Sequence, residues 1–482
     1  MRFLTARGKS HAGGVTRPGA NDVTRGHSRN ARPRSLLNRP EEARNPSGDG
    51  RLRSSTLSFV GGDHPDRHPP HSAPSDHRSP PRLPRDFCHG LLASALIFGL
   101  LIPSALIAQD NTLSPQEVEQ GWILLWDGKT EYGWEWHGDA RWRIEDGVLK
   151  SDGGGYGWLG TTSSFGDFEL SLEFRTPADG NSGVFLRSAR LGAPHQTGYE
   201  LQIFNRQPQG YNTGSLVFYV KTQPAEFIGG QWNRYHVRAV GSRFVVRLND
   251  REVLDASDSS HAAGVIGLQY NEDKPIEFRN IKLRPLGLSP LFNGQDLSGW
   301  QKVDRPNRDD VHEWSVRDGI LHVEKGAGQL ETVKEFKNLV LQLAIKTNPP
   351  SADHHPNSGV FFRGEKGVFW SGYESQIRNE FRNGDRSQPH DFGTGGLYFY
   401  VPARRVIPND GEFFHKTVVA YERHLAVWIN GTQTADWEDP RPPGNNARRQ
   451  ARLAPGVISL QAHDPTTNLD FKDIRAAELD ER

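Results

Sequence analysis

The sequence predicts an all-β protein with two similar domains in tandem. Its 482 residues include 51 glycines and 12 tryptophans, and apolar and polar residues alternate along many short segments, as in half-buried strands. A second observation is an internal repeat, because a pattern at 181–203 returns at 357–377 with nearly the same residues. The chain is long enough for two or three domains, each with its own core.

Charge and cysteine content exclude several classes of protein. Basic and acidic residues number 58 each, so the formal net charge is zero and the chain as a whole does not indicate a nucleic-acid partner. One cysteine, Cys88, excludes an intramolecular disulfide and a cysteine-based metal site.

Residues 1–86 are predicted to be a disordered basic region. They are rich in Arg, Pro, Ser, Gly and His and show no apolar periodicity, so they cannot bury enough surface to offset chain entropy. A nucleic-acid-binding arm and a wrongly assigned translation start are the alternatives.

Residues 87–108 are predicted to be a signal peptide. The basic segment 82–85 precedes an apolar run at 91–102, and small residues follow at Ala105 and Ala108. The chain is therefore expected to be exported to the periplasm or the extracellular space. An uncleaved membrane anchor is the alternative, and only in that case is membrane contact expected.

Local patterns predict the first elements of the folded part. Ser114-Pro-Gln-Glu117 resembles a capping box that opens a short helix. Residues 168–174 alternate apolar and polar as one strand does. Residues 244–251 and 426–431 read as strands that run into hairpin turns, the latter with Asn-Gly.

The repeat extends through both domains. The matching pairs of segments are 126–129 and 292–295, 133–134 and 299–300, 142–149 and 314–321, 213–220 and 394–401, and 266–281 and 458–474. They place the first domain at 118–285 and the second at 288–478. The linker between them is short, so the two domains are expected to touch.

Alternation assigns polar residues to one face of the repeated strands. Glu200 and Gln202 share one face in the first copy, and Glu374, Gln376 and Arg378 share the equivalent face in the second. Glutamine offers both a donor and an acceptor, which suits the recognition of sugar hydroxyls.

The strand before each of these ends in arginine. Arg187 and Arg363 are expected on the same face as Gly183 and Gly359, so that arginine, glutamate and glutamine meet there. A glycine removes a side chain from that face, which suits the close approach of a ligand. A solvated outer face with a surface ion pair is the alternative.

Three histidine segments could lie at one rim of this face. They are His354-His355, His390-Asp391 and His463-Asp464, which could serve as acid or base groups or as metal ligands. None has diagnostic metal-site spacing, so no metal and no other cofactor is predicted. A divalent ion and solvated loop histidines remain alternatives.

The ordered motifs resemble the 3-keto-disaccharide hydrolase domain family, also named domain of unknown function 1080. They are Trp126-Asp-Gly-Lys129, Trp142–Leu149, Asn181-Ser-Gly-Val-Phe-Leu-Arg187, Gly198-Tyr-Glu-Leu-Gln-Ile203 and Thr213-Gly-Ser-Leu216, with their second copies, over about 120–285 and 288–478. The resemblance implies two concanavalin A-like jelly-roll sandwiches with a site on a concave sheet face.

The chain departs from the family pattern in two places. Phe204-Asn205 and Arg378-Asn379 stand where members often have aspartate, and Gly411-Glu-Phe-Phe414 replaces the stretch that the first copy keeps as Gly230-Gln-Trp-Asn233. One copy could therefore be a binding domain without activity.

The resemblance implies cleavage of 3-keto-glycosides or 3-keto-disaccharides. The ketone acidifies the C2 proton, so a base can remove it, the C1 substituent can leave, and water can then add. A lectin-like carbohydrate-binding protein is the alternative. The candidate catalytic residues are Glu200, Glu374, Arg187, Arg363, His390 and Asp391; the candidate substrate-binding residues are Asn181, Gln202, Tyr219, Asn357, Gln376, Arg378, Tyr400, Gln269, Gln461 and His463.

An objection applies to the paired assignment of glutamate as base and arginine as enolate-stabilising cation. An ion pair between them would keep the glutamate ionised but lower its basicity. His390, Asp391 or His463 could then supply the missing acid or base.

Overall fold

A computed structural model describes residues 109–271, 274–308 and 311–480. The predicted disordered region at 1–86 and signal peptide at 87–108 lie outside the described residues. Two short helices occur in the described part, α1 at Pro115–Glu119 and α2 at Pro194–Thr197. Within these described ranges, neither helix has the length and apolar character needed to cross a bilayer.

The first domain contains eleven strands. In chain order they are β1 Ile123–Leu124, β2 Trp134–Glu145, β3 Val148–Thr161, β4 Phe168–Arg175, β5 Ser182–Ser188, β6 Tyr199–Ile203, β7 Asn233–Val240, β8 Arg243–Leu248, β9 Arg251–Ser257, β10 Val265–Tyr270 and β11 Ile276–Pro285.

The second domain repeats this order with thirteen strands. They are β12 Ser289–Pro290, β13 Trp300–Asp304, β14 Glu313–Arg317, β15 Ile320–Glu324, β16 Gly328–Phe336, β17 Leu339–Thr347, β18 Ser358–Gly364, β19 Tyr373–Ile377, β20 Phe414–Tyr421, β21 His424–Ile429, β22 Thr432–Glu438, β23 Gly456–Ala462 and β24 Asn468–Glu478.

Both domains are antiparallel sandwiches, but the sheets are joined differently. In the second domain two sheets are separate, in the orders β14-β15-β24-β17-β20-β21-β22 and β13-β16-β23-β18-β19. In the first domain the single long strand β3 takes the positions of both β15 and β16. The two halves are therefore joined into one sheet of order β6-β5-β10-β3-β11-β4-β7-β8-β9. The prediction of an all-β protein with two tandem concanavalin A-like jelly rolls is confirmed.

The predicted local elements form as expected. Ser114 and Glu117 make both bonds of a capping box at the start of α1. Asn249 and Asp250, with φ of 48° and 66°, close the β8–β9 hairpin, and left-handed φ at both central residues matches the right-handed twist of the strands. Asn430 and Gly431 do the same between β21 and β22.

Alternating apolar residues build the core of each sandwich. Phe168, Leu170, Leu172 and Phe174 of β4 are all fully buried, so the predicted strand at 168–174 places its apolar face inward. At ~25 cal/mol per Å² of apolar surface, this burial is the main stabilising term of such a domain.

The two sandwiches are in contact, as the short linker led us to expect. The core of the first includes Trp428 from the second, and the Trp428 indole Nε1 donates to the Leu124 carbonyl at 3.0 Å. The Leu124 amide donates to the Gly431 carbonyl at 2.8 Å. A salt bridge of 2.6 Å joins Arg190 to Glu438 at the edge.

Candidate functional site in the second sandwich

The repeated strands hold each glutamate beside a glycine. In the first sandwich β5 pairs with β6, with Gly183 opposite Gln202 and Phe185 opposite Glu200. The pairing of β18 with β19 has the same register. A Cβ built on Gly183 would lie 2.9 Å from the Glu200 carboxyl oxygen, so the glycine makes room for this carboxyl.

The second sandwich has a cleft of about 370 Å³ on the sheet face that carries Glu374. We call this face the cleft face. Its lining includes five residues that the sequence nominated and five that it did not: Asn357, Glu374, Gln376, Gln461 and His463 belong to the first group, and Arg305, Pro306, Phe369, Trp370 and Tyr398 to the second.

Glu374 is the buried carboxyl of the cleft. Arg448 Nη2 donates to its Oε2 at 3.0 Å and the Trp370 indole Nε1 donates to the same oxygen at 3.3 Å. Burial raises the pKa of Glu374, although Arg448 opposes the shift. Desolvation therefore outweighs the ion pair, and the carboxyl is more basic than an exposed glutamate.

Two of the N–H donor groups of Arg448 are unpaired. Its Nε and Nη1 are buried without a hydrogen-bond partner, while its guanidinium packs 4.3 Å from the Trp370 ring centroid. Gln461 Oε1 is likewise buried and unpartnered. Because buried polar groups in proteins are nearly always paired, these atoms are candidates for pairing with a bound polar ligand.

His463 is oriented by its neighbour. Its Nδ1 lies 2.7 Å from Asp464 Oδ2, and its Nε2 lies 3.3 Å from the Asn357 amide nitrogen. The hydrogen bond from His463 holds the pKa of Asp464 well below its usual range, so the ionised carboxylate accepts from Nδ1–H. His463 Nε2 is then the ring nitrogen that remains beside Asn357, another residue of the cleft lining.

His390, Asp391 and Arg378 form a network behind Gln376. The Gln376 amide Nε2 donates to the Asp391 carbonyl at 3.0 Å, and Arg378 Nε donates to Glu380 Oε2 at 2.7 Å. His390 Nδ1 is 3.4 Å from that glutamate. None of the three lines the cleft, and Asp391 holds the Gln376 amide through its carbonyl and its carboxylate.

The expectation that Arg187 and Arg363 meet the glutamates is wrong. Both have a left-handed φ of 52°. The pairing register of β5 with β10, and of β18 with β23, shifts at these positions. Such a bulge adds one residue to the strand and reverses the face of the following side chain. Both guanidinium groups are therefore buried on the core side.

The two arginines instead bind backbone carbonyls. Arg187 Nε donates to Gly166 O at 2.9 Å and Nη1 to Gly241 O at 2.7 Å. Arg363 Nε donates to Lys337 O and Nη1 to Glu422 O, both at 2.6 Å. Burial lowers the pKa of Arg363 to about 10. These contacts are structural, and neither arginine is available to stabilise an enolate.

Tyr219 and Tyr400 are also on the wrong side for substrate. Tyr400 stacks on Trp437 with ring centroids 4.5 Å apart, and the Tyr219 hydroxyl is 2.9 Å from His261 Nε2. In the second sandwich the cleft residue is Tyr398, two positions earlier. The turn around Phe399, with φ of 73°, separates Tyr398 at the cleft from Tyr400 at Trp437.

The first sandwich keeps the glutamate but not its partners. Gln269 Nε2 donates to Glu200 Oε1 at 3.0 Å, so a neutral amide bonds this carboxyl instead of an arginine. Burial raises the pKa of Glu200 to about 7. Gln202 has the same local contact as Gln376, since its Oε1 accepts from the following amide at 3.1 Å. Asn181 precedes β5 as Asn357 precedes β18.

An indole covers the equivalent face of the first sandwich. Trp158 pairs with Gln269 where Gln329 pairs with Gln461. Its ring stacks on His137 with centroids 4.0 Å apart, and a Cβ on Gly160 would be 2.4 Å from it. The cleft partners are thus replaced by a buried aromatic ring, since Trp158 is only 3% exposed.

Sequence signals existed for some of the residues that were missed. Arg448 lies in the link between β22 and β23, which is much longer than the link between β9 and β10. Tyr398 stands where the first copy has Val217, within segments that are identical at six of eight positions. Differences between the two copies therefore mark Tyr398, which lines the cleft, and Arg448, which bonds Glu374.

A buried lysine supports the strand that carries Glu374. Lys416 Nζ donates to Ser375 O at 3.0 Å and to Gln376 O at 2.9 Å. In the first sandwich Tyr235 takes this place and donates to Gln202 O at 2.6 Å. Burial lowers the pKa of Lys416 to about 7. Among the described residues, no group of three or more His, Cys, Asp or Glu side chains is arranged to hold a metal ion.

Comparison with known proteins gives the family. A family profile described as a 3-keto-alpha-glucoside-1,2-lyase-like domain matches residues 121–284 and again 287–477. A 3-keto-disaccharide hydrolase of Bacteroides thetaiotaomicron is 33% identical over 93 residues, which cover 17% of this chain and 32% of that protein. The chain thus spans about a third of that relative's length.

Solved structures with related folds are more distant. A candidate glycosyl hydrolase from Parabacteroides distasonis is 23% identical with a TM-score of 0.33, over 37% of this chain and 100% of that chain. The carbohydrate-binding module CBM66 from Bacillus subtilis is 19% identical with a TM-score of 0.27, over 32% of this chain and 95% of that chain. Because the family profile covers most of the described residues, the chain belongs to the 3-keto-alpha-glucoside-1,2-lyase-like domain family, with two tandem copies.

Proposed function

We propose that the second sandwich cleaves 3-keto-glycosides by elimination followed by hydration. The observation that carries this proposal is a buried glutamate of raised pKa, Glu374, in one cleft with an oriented histidine, His463. Family membership supports the substrate class. The competing class of plain hydrolysis would need a carboxylate pair across the glycosidic bond, and Glu374 is the one acidic residue in the described lining of the cleft.

Each step has a residue to perform it. The Glu374 carboxylate takes the C2 proton, and the C2–H electron pair forms an enolate with the C3 ketone. The spare Arg448 donors stabilise the enolate oxygen. The enolate then reforms the ketone, the electron pair makes the C1–C2 double bond, and the C1–O bond breaks. His463 Nε2–H gives its proton to the leaving oxygen.

Hydration reverses these steps with water. Water adds to C1 after His463 Nε2 takes one of its protons, and the Glu374 carboxyl returns a proton to C2. The sum is hydrolysis, with Glu374 and His463 restored. Gln461, whose Oε1 is unpartnered, accepts from a sugar hydroxyl and orients the ring.

Turnover in deuterium oxide tests this proposal. The full-length protein is incubated with methyl 3-keto-α-glucoside and with the parent 3-hydroxy glucoside. We expect cleavage of the ketone alone, with deuterium at C2 of the first product formed. A parallel incubation of product with the Glu374→Gln variant measures spontaneous exchange. Cleavage of both substrates, or product that carries only this background label, would contradict the elimination route.

A binding role is the second candidate, and it applies to the first sandwich. The Tyr156 ring, which is 36% exposed, lies near Glu200 and Gln269, and Gln269 replaces the arginine. Aromatic rings and neutral amides are the groups with which proteins hold sugars without reacting. Retained affinity for methyl α-glucoside in a Glu374→Gln, His463→Ala double variant would support this role, and loss of all affinity would argue against it.

We also propose that the protein is exported. The support is the basic and then apolar sequence at 82–108. Cell fractionation of the full-length chain with a C-terminal tag tests it, and protein confined to the cytosol would contradict export. A carbonate-resistant membrane fraction would instead indicate an uncleaved anchor.

A further inference from the structure

Aromatic side chains stand at the mouth of the cleft. Trp370 lines the cleft and is 40% exposed, and Phe399 beside it is 53% exposed. Their ring centroids are 5.9 Å apart, and Tyr398 lies 4.4 Å from Phe399. We call Trp370 and Phe399 the aromatic pair. The pair is continuous with the cleft, because Trp370 and Tyr398 line the cleft and Phe399 contacts both rings.

The aromatic pair is held in a costly backbone conformation. Trp370 has φ of 58° and Phe399 has φ of 73°, a region that bulky residues rarely adopt. Neither ring gains full burial in return. Phe218 of the first sandwich has the same conformation as Phe399, so the strain particular to the cleft is that of Trp370. Such strain at an exposed residue is common at ligand-binding positions.

Trp370 is fixed from several sides. Its backbone amide donates to Gln329 Oε1 at 3.0 Å, its indole Nε1 donates to Glu374 at 3.3 Å, and the Arg448 guanidinium packs against its ring. A ring that is already fixed loses little conformational entropy when a ligand stacks on it. The indole is thus a prepared binding surface.

We propose that the aromatic pair binds the aglycone of the substrate, and that the aglycone is a ring. This inference rests on the proposed function, in which Glu374 acts on C2 of the sugar. The C1 substituent is attached to the neighbouring carbon, so it leaves the cleft within reach of the indole that bonds Glu374. The ligand chemistry is a flat apolar face, either an aryl ring or the C–H face of a second pyranose.

The first sandwich provides a matched control. Phe218 stands at the position of Phe399, with φ of 69° and 61% exposure. Its ring neighbours are His195 and Tyr211 in place of an indole joined to a glutamate. Phe218→Ala therefore removes an exposed ring in the same backbone setting, away from Glu374.

The test compares aglycones on the full-length protein. We measure kcat/KM for methyl, phenyl and glucosyl 3-keto-α-glucosides with the wild type and with Phe399→Ala, Trp370→Ala and Phe218→Ala. Since a stacked ring contributes up to ~1.5 kcal/mol, we expect the preference for ring aglycones over methyl to fall about tenfold, mainly through KM, in the two cleft variants. The preference should be unchanged in Phe218→Ala.

The phenyl and glucosyl substrates distinguish the two kinds of ring aglycone, an aryl group and a second pyranose. Preference for phenyl alone identifies an aryl aglycone, and preference for glucosyl identifies a disaccharide. A wild type that treats methyl and ring aglycones alike overturns the inference, as does an equal loss of preference in Phe218→Ala. Trp370→Phe should retain most of the preference, because the ring is kept and only the indole N–H is lost.

A binding measurement keeps this inference separate from the proposed function. Phenyl α-glucoside lacks the ketone and is not expected to react, so its affinity relative to methyl α-glucoside can be followed by tryptophan fluorescence. Suppose that the phenyl preference exists and is lost in Phe399→Ala, while no 3-keto-glycoside is cleaved. Ring binding by the aromatic pair is then supported and the proposed reaction is contradicted. If cleavage occurs without any preference for a ring aglycone, only the role of the aromatic pair is contradicted.

Discussion

At the scale of single residues, the equivalent glutamates of the two sandwiches have different hydrogen-bond partners. Glu374 bonds Arg448 and Trp370, whereas Glu200 bonds the Gln269 amide. Both carboxyls are buried, and burial raises the pKa of each. The difference lies in the charged and protic groups nearby, and for this reason we propose Glu374 as the base.

Glu374→Gln should abolish most turnover. Removal of a general base typically costs ~100-fold to ~10,000-fold, so we expect kcat/KM for methyl 3-keto-α-glucoside to fall at least about 100-fold. Glu200→Gln should retain most of the activity, because it lies in the other sandwich. The assay is product release at equal protein concentration, with circular dichroism to confirm folding. The reverse ranking of the two variants would move the active site to the first sandwich.

Glu200→Gln should change how stability depends on pH. The pKa of Glu200 is raised to about 7 in the folded state from 4.5, so its favourable contribution is complete below pH ~4.5 and is lost as pH rises through ~7. The loss is at most roughly 3 kcal/mol, at ~1.36 kcal/mol per pKa unit. Thermal unfolding between these pH values should show the wild type losing stability relative to the variant. Parallel curves would mean that Glu200 is not desolvated.

At the scale of elements, each strand β5 and β18 ends in a bulge that turns an arginine into the sandwich. Arg187 and Arg363 reach carbonyls at equivalent places in the two copies. The repeated motif is therefore a structural device for the carbonyls of neighbouring loops. The glycine in the same strand serves the site, since it accommodates the glutamate.

Arg363→Lys should lower stability and leave the chemistry of folded protein nearly intact. A lysine keeps the charge but cannot bond both carbonyls and Asn338 together, and broken buried contacts of a charged group cost ~3–5 kcal/mol. Differential scanning calorimetry and kcat below the transition measure the two effects. A fall in kcat with an unchanged melting temperature would restore the arginine as an enolate-binding group.

At the scale of the whole molecule, the two sandwiches share part of a core. Trp428 of the second domain is 1% exposed and packs in the core cluster of the first, and its indole bonds Leu124. An interface built from buried apolar residues and backbone hydrogen bonds couples the unfolding of the two domains.

Trp428→Ala should weaken this coupling. Replacing a buried tryptophan by alanine costs ~3–5 kcal/mol, and we expect calorimetry to show two separated transitions where the wild type shows one. Trp136→Ala removes an exposed tryptophan of the first sandwich and should leave a single transition. Two transitions already present in the wild type would show that the domains unfold independently.

Alternation along the chain was enough to predict the strand at 168–174, its buried face, and the common face of Glu374 and Gln376. These properties depend on the period of a strand, which is written in neighbouring residues. The same rule failed for Arg363, because a bulge shifts the period by one residue.

The sequence by itself therefore determined the all-β class, the tandem organisation, and the glutamate and glutamine of each polar face. Only the tertiary structure decided which copy has a cleft with charged partners. Arg448 lies 74 residues after Glu374 in the chain, and it reaches the carboxyl through a long loop whose path depends on packing against Trp370. Contacts of this kind have no local period, so they exist only once the sheet has folded and brought the loops together.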